Sequence, residues 1–269
     1  MLVYIKLLMA AFFWGGTFIA GRVVAQGVGP FSAAFLRFAV ASLLLVLITR
    51  KIEGGLPRLK RDQIIPVVLL GMTGVFAYNV LFFLGLQTVT AGRASVIVAM
   101  NPIFIALFAA LLFRERLGGI NVAGIVLCVT GAVVVISHGS LSALLQGDVG
   151  RGELYVLGCV ASWVLYSLIG KRAMRDLSAM AAVTYSCLIG GALLLLPAWM
   201  EGLFSDAAGY RIIDWLGIAF LGVFGTVIGF TWYYEGIRTI GASRAAVFIN
   251  FVPISAVVLA FFLLGETLD

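Results

Sequence analysis

Charge is scarce in this chain: Asp, Glu, Lys and Arg supply 11% of its 269 residues, against about 25% in an ordinary soluble domain. Too few charges remain to clothe a water-facing surface, and a mean hydropathy of +1.14 places the bulk of the chain in lipid. Histidine occurs once, at His138, and one imidazole cannot by itself build a zinc site. The three cysteines, Cys128, Cys159 and Cys187, all fall within apolar runs. An odd number in that setting points to buried thiols, not to a disulfide framework. The sequence contains no His-Glu-x-x-His motif, no acidic cluster and no glycine loop ending in Lys-Ser/Thr. These absences exclude a soluble enzyme, a nucleic-acid binder and a disordered tail. They also leave an intramembrane enzyme without a nucleophile, a metal or a cofactor to work with.

What the chain does have is apolar length. Hydrophobic residues make up 62% of it, with 32 glycines and 6 prolines, a composition suited to closely packed membrane helices. Hydropathy and breakers predict nine helices. The first five run over Val3–Ala25, Phe31–Thr49, Ile64–Leu86, Ala91–Phe113 and Ile120–Ser137. The last four run over Gly152–Gly170, Ser178–Trp199, Ile212–Tyr234 and Ala242–Leu264. The expected fold class is therefore an all-α polytopic membrane protein. The first apolar run carries Trp14 and several glycines but no small-residue cleavage site, so it reads as a retained helix and not as a signal peptide.

Threading these helices alternately, with the amino terminus inside, gathers 13 of the 18 basic residues on the cytoplasmic side. Lys6, Arg50, Lys51, Lys171, Arg172 and Arg238 are among them. The positive-inside rule then orients the chain, and the net charge of +6 is a topology signal, not an affinity for nucleic acid. The expected location is the bacterial cytoplasmic (inner) membrane, with the amino terminus in the cytoplasm.

The chain also repeats itself. Gly85 to Ala94 (GLQTVTAGRA) aligns with Gly236 to Ala245 (GIRTIGASRA) at an offset of 151, which pairs Pro102 with Pro253 and Glu115 with Glu266. An offset of 149 pairs Trp14 with Trp163 and Gly21 with Gly170. Helices one to four thus correspond to helices six to nine, with helix five between them. Each unit then holds an odd number of spans, and the second copy enters the membrane inverted, an architecture many secondary transporters use. The expected units are residues 1–138, with helices one to five, and 150–269, with helices six to nine. By this symmetry a tenth helix is owed after Glu266, and the chain is expected to be one helix short of a complete carrier.

The stretch from Trp14 to Arg22 (WGGTFIAGR), Phe35-Leu-Arg-Phe-Ala39 and the twice-used Ala-x-Arg-Ala…Pro…Glu-x-Leu resemble the EamA family of the drug/metabolite transporter superfamily. The resemblance covers nearly the whole chain. It implies a ten-helix inverted-repeat carrier of small organic solutes, often an exporter of amino acids or other metabolites. The absent tenth helix is the departure from that pattern.

Several residues are spaced to line a path. Gly71, Gly74, Tyr78 and Phe82 form one stripe on helix three. Helix eight repeats it with Gly222, Gly225, Gly229 and Tyr233, with Trp232 alongside. Helix one offers Trp14, Thr17 and Gly21, and helix six offers Trp163, Tyr166 and Gly170. Matching stripes fit a central cavity; the competing reading is helix-packing glycines and interfacial aromatic belts. Among the intramembrane amides, Asn79 is the better ligand candidate. Asn101 and Asn250, near Pro102 and Pro253, read first as partners for carbonyls that the prolines free. Arg37, about 10 Å into helix two by helical rise, either snorkels to the outer interface or turns inward to a carboxylate. The sequence leaves both open. Glu115 and Glu266 close helices four and nine as gate or loop-bracing residues, and Glu235 is the one acid near the aromatic stripe.

The function expected from this pattern is a secondary transporter, in first place an exporter, moving small amphipathic metabolites such as amino acids by alternating access. The alternative is a non-transporting structural or assembly subunit of a membrane complex. The expected partners are a small-molecule metabolite and the lipid bilayer, with homodimer formation left open.

Overall fold

The computed structural model describes residues 1–113, 130 and 150–265. Among the described residues, eight helices are long and apolar enough to cross a membrane. They are α1 (Leu2–Ala25), α2 (Pro30–Glu53), α3 (Arg61–Thr88), α4 (Ala91–Phe113), α5 (Arg151–Ala173), α6 (Ala179–Glu201), α7 (Ile212–Ile240) and α8 (Ala242–Leu264). These match expected helices one to four and six to nine. The expected fifth helix, apart from Thr130, lies outside the described residues, as do Glu115, Cys128, His138 and Glu266. Large apolar side chains such as Phe12, Leu43, Leu111, Leu196 and Phe262 stand exposed around the bundle, where lipid is their natural solvent. The fold is that of an all-α polytopic membrane protein.

Local sequence sets where the helices start and stop. Pro30 opens α2, and Gly54 ends it in the left-handed region at φ 76°. The Ser178 hydroxyl caps α6 by accepting from the Ala181 N–H, and Gly202 ends that helix at φ 101°. Proline needs no N–H partner in a first turn, and glycine takes the left-handed stop without a Cβ clash.

Helices α2 and α6 pack against each other, and each ends in a glutamate that reaches the other's start. Glu201 accepts from the Phe31 N–H at 3.2 Å and the Ser32 N–H at 2.6 Å. Glu53 accepts from the Ser178 hydroxyl at 2.9 Å. A carboxylate is badly placed at the end of its own helix but well placed at the start of a neighbour. The two clasps therefore fix α2 and α6 antiparallel.

Other contacts sort the remaining helix ends onto two faces. Arg22, near the end of α1, donates to the Leu86 carbonyl near the end of α3. Only Val89 and Thr90 separate α3 from α4, and Arg93 at the start of α4 pairs with Glu153 at the start of α5, 3.0 Å away. On the opposite face Lys6 of α1 pairs with Glu235 of α7 at 2.6 Å. There too the Lys171 ammonium, near the end of α5, sits 4.3 Å from the ring centre of Phe113. Helices α1 and α5 consequently begin on opposite faces.

Glycine contacts relate the two halves. Gly74 of α3 lies against the ring of Tyr166 on α5, while Gly225 of α7 lies against Thr17 on α1. Gly85 of α3 meets Val156 of α5, and Gly236 of α7 meets Leu7 of α1. Under the sequence offsets these are the same contacts with partners exchanged, the relation that a two-fold axis between the halves produces. A Cβ at any of the four would overlap its neighbour, so glycine is what lets these helices close.

The backbone follows the same relation. Helix α3 passes through a π-helical stretch at Gly71–Ala77, and α7 through one at Leu221–Ile228. Helix α4 breaks after Val98 and resumes at Asn101, and α8 tightens to a 3-10 turn over Val247–Asn250 before resuming at Phe251. Pro102 and Pro253 fall in the first turn of each resumed helix, where the missing N–H leaves no bond unmade.

Candidate functional site

Arg37 turns inward. It is 3% exposed although it lies only two turns into α2, so it does not snorkel to the interface. Its Nε donates to Thr226 Oγ1 at 2.9 Å and its Nη1 to Asn79 Oδ1 at 2.7 Å. Thr226 belongs to the π-helical stretch of α7, and Asn79 follows that of α3. Both are tied back to the backbone five residues earlier. Thr226 Oγ1 donates to the Leu221 carbonyl at 3.0 Å, and Asn79 Nδ2 donates to the Gly74 carbonyl at 3.2 Å and to that of Val75 at 2.8 Å. Five residues is the hydrogen-bond step of a π-helix, so the wide turns present the carbonyls that hold these two side chains. Phe38 and Phe230 flank the guanidinium, with ring centres 5.3 and 5.9 Å from Cζ, within cation–π range. No described carboxylate lies within ion-pair distance of Arg37.

Arg37 lines a cavity of about 30 Å³, room for about one water molecule. Trp14, Thr17 and Phe18 of α1 face it, with Tyr78 and Phe82 of α3, Val98 and Asn101 of α4 and Trp163 of α5. Phe230 of α7 and Ile249 and Val252 of α8 complete the wall. Trp14 with Trp163, Val98 with Ile249 and Asn101 with Val252 are repeat partners, so the cavity sits between the halves. Trp163 is the hub of its aromatic wall, with ring centres 5.3 Å from Trp14, 5.3 Å from Tyr78 and 5.0 Å from Phe230. Such tilted and edge contacts are favourable aromatic geometries. Trp14 Nε1 also donates to the Gly225 carbonyl at 2.9 Å, tying α1 to the π-helical stretch of α7.

The residues proposed from sequence fall into three groups. Trp14, Thr17, Arg37, Tyr78, Phe82, Asn101 and Trp163 line the cavity together. Asn79, Tyr166 and Tyr233 stand behind it, buried. Asn79 holds Arg37, the Tyr166 hydroxyl lies 3.2 Å from Ser186 Oγ, and that of Tyr233 lies 3.0 Å from Ser167 Oγ. Trp232 faces away, its ring centre 6.2 Å from that of Phe13. At the helix breaks, Asn101 and Pro102 are buried while Asn250 is exposed and Pro253 half-buried. Asn101 Oδ1 has no hydrogen-bond partner among the described residues. Glu235 is half-buried and held by Lys6.

Phe18, Thr226 and Phe230 escape the sequence reading. Phe230 occupies the repeat position of Asn79, so a search for like residues at like positions passes over it. The mismatch itself, an amide in one copy and an aromatic ring in the other, was the available signal.

The model of the EamA-like transporter family matches residues 1–137 and 150–269. The chain belongs to the EamA-like transporter family. This EamA-family member is 29% identical to the uncharacterized transporter YyaM of Bacillus subtilis over 259 residues, which cover 96% of this chain and 85% of that one. It is 30% identical over 265 residues to an uncharacterized transporter of Archaeoglobus fulgidus, covering 98% and 91% of the two chains. A probable terminal-alkyne amino-acid exporter of Streptantibioticus cattleyicolor is 29% identical over 257 residues, covering 94% and 82%. A crystal structure of a protein 22% identical in sequence matches the fold with a TM-score of 0.74 over 99% of this chain and 90% of the other. The eight apolar helices and the family together make this an integral membrane transporter.

Proposed function

We propose that this EamA-family chain is a secondary carrier that exports small amphipathic metabolites such as amino acids by alternating access. Its setting in this reading is the bacterial cytoplasmic membrane, with the amino terminus inside. The observation that carries the reading is the cavity around Arg37 and Trp163, walled by repeat partners from both halves. At about 30 Å³ it is far below the roughly 300–1,000 Å³ of an ordinary ligand site. The described state is therefore closed, and one face of the bundle must part before a solute enters.

Each face is closed in part by an ion pair. Lys6–Glu235 is partly exposed and worth less than about 1 kcal/mol, while Arg93–Glu153 is the more buried of the two. The π-helical stretches and the breaks in α4 and α8 supply places where backbone bends without losing a full helical ladder. With residues 1–138 and 150–269 as the two moving units, the exchanged contacts give the inward- and outward-open states similar energies. The relative named a probable amino-acid exporter supports the substrate class. An assembly subunit, the alternative, would leave a buried cation beside a shared aromatic cavity without a use.

The test is counterflow. Proteoliposomes holding the full chain and preloaded with an unlabelled amino acid are expected to take up the labelled one transiently and saturably. Uptake that is linear in concentration, or no faster than in empty liposomes across all the common amino acids, sinks the reading.

A further inference from the structure

We propose that the Arg37 guanidinium anchors a substrate carboxylate and that the Asn101 side-chain carbonyl receives a hydrogen-bond donor of the same solute. The proposal rests on the carrier reading of this cavity and names the chemistry it selects: a carboxylate with a donor group close by, carried on an apolar body.

A buried cation within a bilayer is costly unless something counters it. Arg37 spends two of its five N–H groups, and both go to neutral side chains, Thr226 and Asn79. Among the described residues its Nη2 has no hydrogen-bond partner. That nitrogen lies beside Gly225, where a Cβ would stand 3.3 Å from it, and Arg37 lines the cavity. The N–H groups of the guanidinium fork left without a described partner match the two oxygens of a carboxylate. Independently, Asn101 is 1% exposed, lines the same cavity and has a carbonyl oxygen with no partner among the described residues. Buried acceptors in native proteins are almost always paired, and a solute that brings a donor would pair this one.

Comparison of the halves gives the site a direction. Gly71 meets Gly190 where Gly222 meets Val40, which sets the offset between α2 and α6 at 150 residues. Arg37 then corresponds to Cys187, while Asn79 corresponds to Phe230 and Asn101 to Val252. Three polar positions of the first half are apolar in the second. Arg37 of α2 and Asn101 of α4 thus face Trp163 of α5, Phe230 of α7 and Ile249 and Val252 of α8 across the cavity. An amphipathic cation would set its charge against Arg37, and a small inorganic anion would leave Asn101 unpaired.

Equilibrium dialysis with the full chain in nanodiscs tests this, using L-alanine, L-leucine and L-phenylalanine, each beside its amide and its decarboxylated amine. At least one acid is expected to bind saturably, with its amide and amine about tenfold weaker or worse. R37Q should weaken the acid by about tenfold or more, R37K by less. N101L should weaken L-phenylalanine but not 3-phenylpropionate, which lacks the donor. An amide or amine that binds as well as its acid overturns the proposal, as does an absence of saturable binding by every acid at millimolar concentration. The acid-to-amide comparison uses the unaltered chain, so a variant that fails to fold cannot decide the matter. If the acids bind as expected but no counterflow follows, the anchor stands and the carrier reading fails.

Discussion

Arg37 of the first half and Thr226 of the second are joined by a 2.9 Å hydrogen bond from Nε to Oγ1. The bond crosses the boundary between the halves beside the cavity and ends within a π-helical stretch. Any rearrangement that parts the halves on that side must stretch or replace it. A ligand seated on Arg37 therefore touches the same group that holds the closed state together.

Asn79 gives the sharpest test of the charge argument. Its amide oxygen lies 2.7 Å from Arg37 Nη1, so Asn79→Asp puts a carboxylate where the guanidinium lacks one. Solute binding should drop by about tenfold or more, while thermal denaturation reads the new ion pair set against the lost donor to the Gly74 and Val75 carbonyls. Asn79→Leu removes an acceptor from Arg37 and a donor from the Gly74 and Val75 carbonyls. It should cost about 1–3 kcal/mol of stability, the penalty for stranded buried polar groups.

The exchanged glycine contacts predict matched sensitivity in the two halves. Gly74→Val would drive a side chain into the Tyr166 ring, and Gly225→Val would drive one into Thr17. Both should lower the yield of folded protein sharply, since overpacking costs about 1–3 kcal/mol or more. Gly209→Ala is the control: a Cβ there meets nothing within 4 Å. Tolerance of a valine at either α3 or α7 would contradict the close approach described.

The clasps between α2 and α6 are separable. Glu201→Gln removes charge from the start of α2, and Glu53→Gln removes it from the start of α6. Each should lower stability by roughly 0.3–1 kcal/mol. The glutamates belong to opposite ends of one helix pair, so the double variant should show the sum of the two losses within about 0.5 kcal/mol. Strong coupling between them in chemical denaturation would mean that the clasps act as one unit.

The eight helices and their order are legible in the sequence because hydropathy over about 20 residues is a strong signal. The helix interior is less so. A π-helical stretch changes hydrogen-bond register without changing composition, and nothing in Gly71–Ala77 or Leu221–Ile228 announces one. Direction around a helix is also hidden. Trp232 and Tyr233 are neighbours in sequence, yet about 100° of helical rotation sends one to Phe13 and the other to Trp14 and Trp163. Arg37 could be placed in depth from its position in α2, but its inward turn depends on Asn79 and Thr226, which arrive from two other helices.

Most directly, the account is tested by comparing two tryptophans in the counterflow assay. Trp163 is the hub of the cavity wall, and Trp232 packs against Phe13 outside it. With equal amounts of folded protein in the liposomes, Trp163→Ala is expected to cut saturable exchange by about tenfold or more, in line with the loss of a central aromatic contact. Trp232→Ala should leave exchange within about twofold of the wild type, as a residue that touches no part of the path. Undiminished exchange in Trp163→Ala, or an equal loss in both variants, would contradict the claim that solute passes through the cavity between the halves.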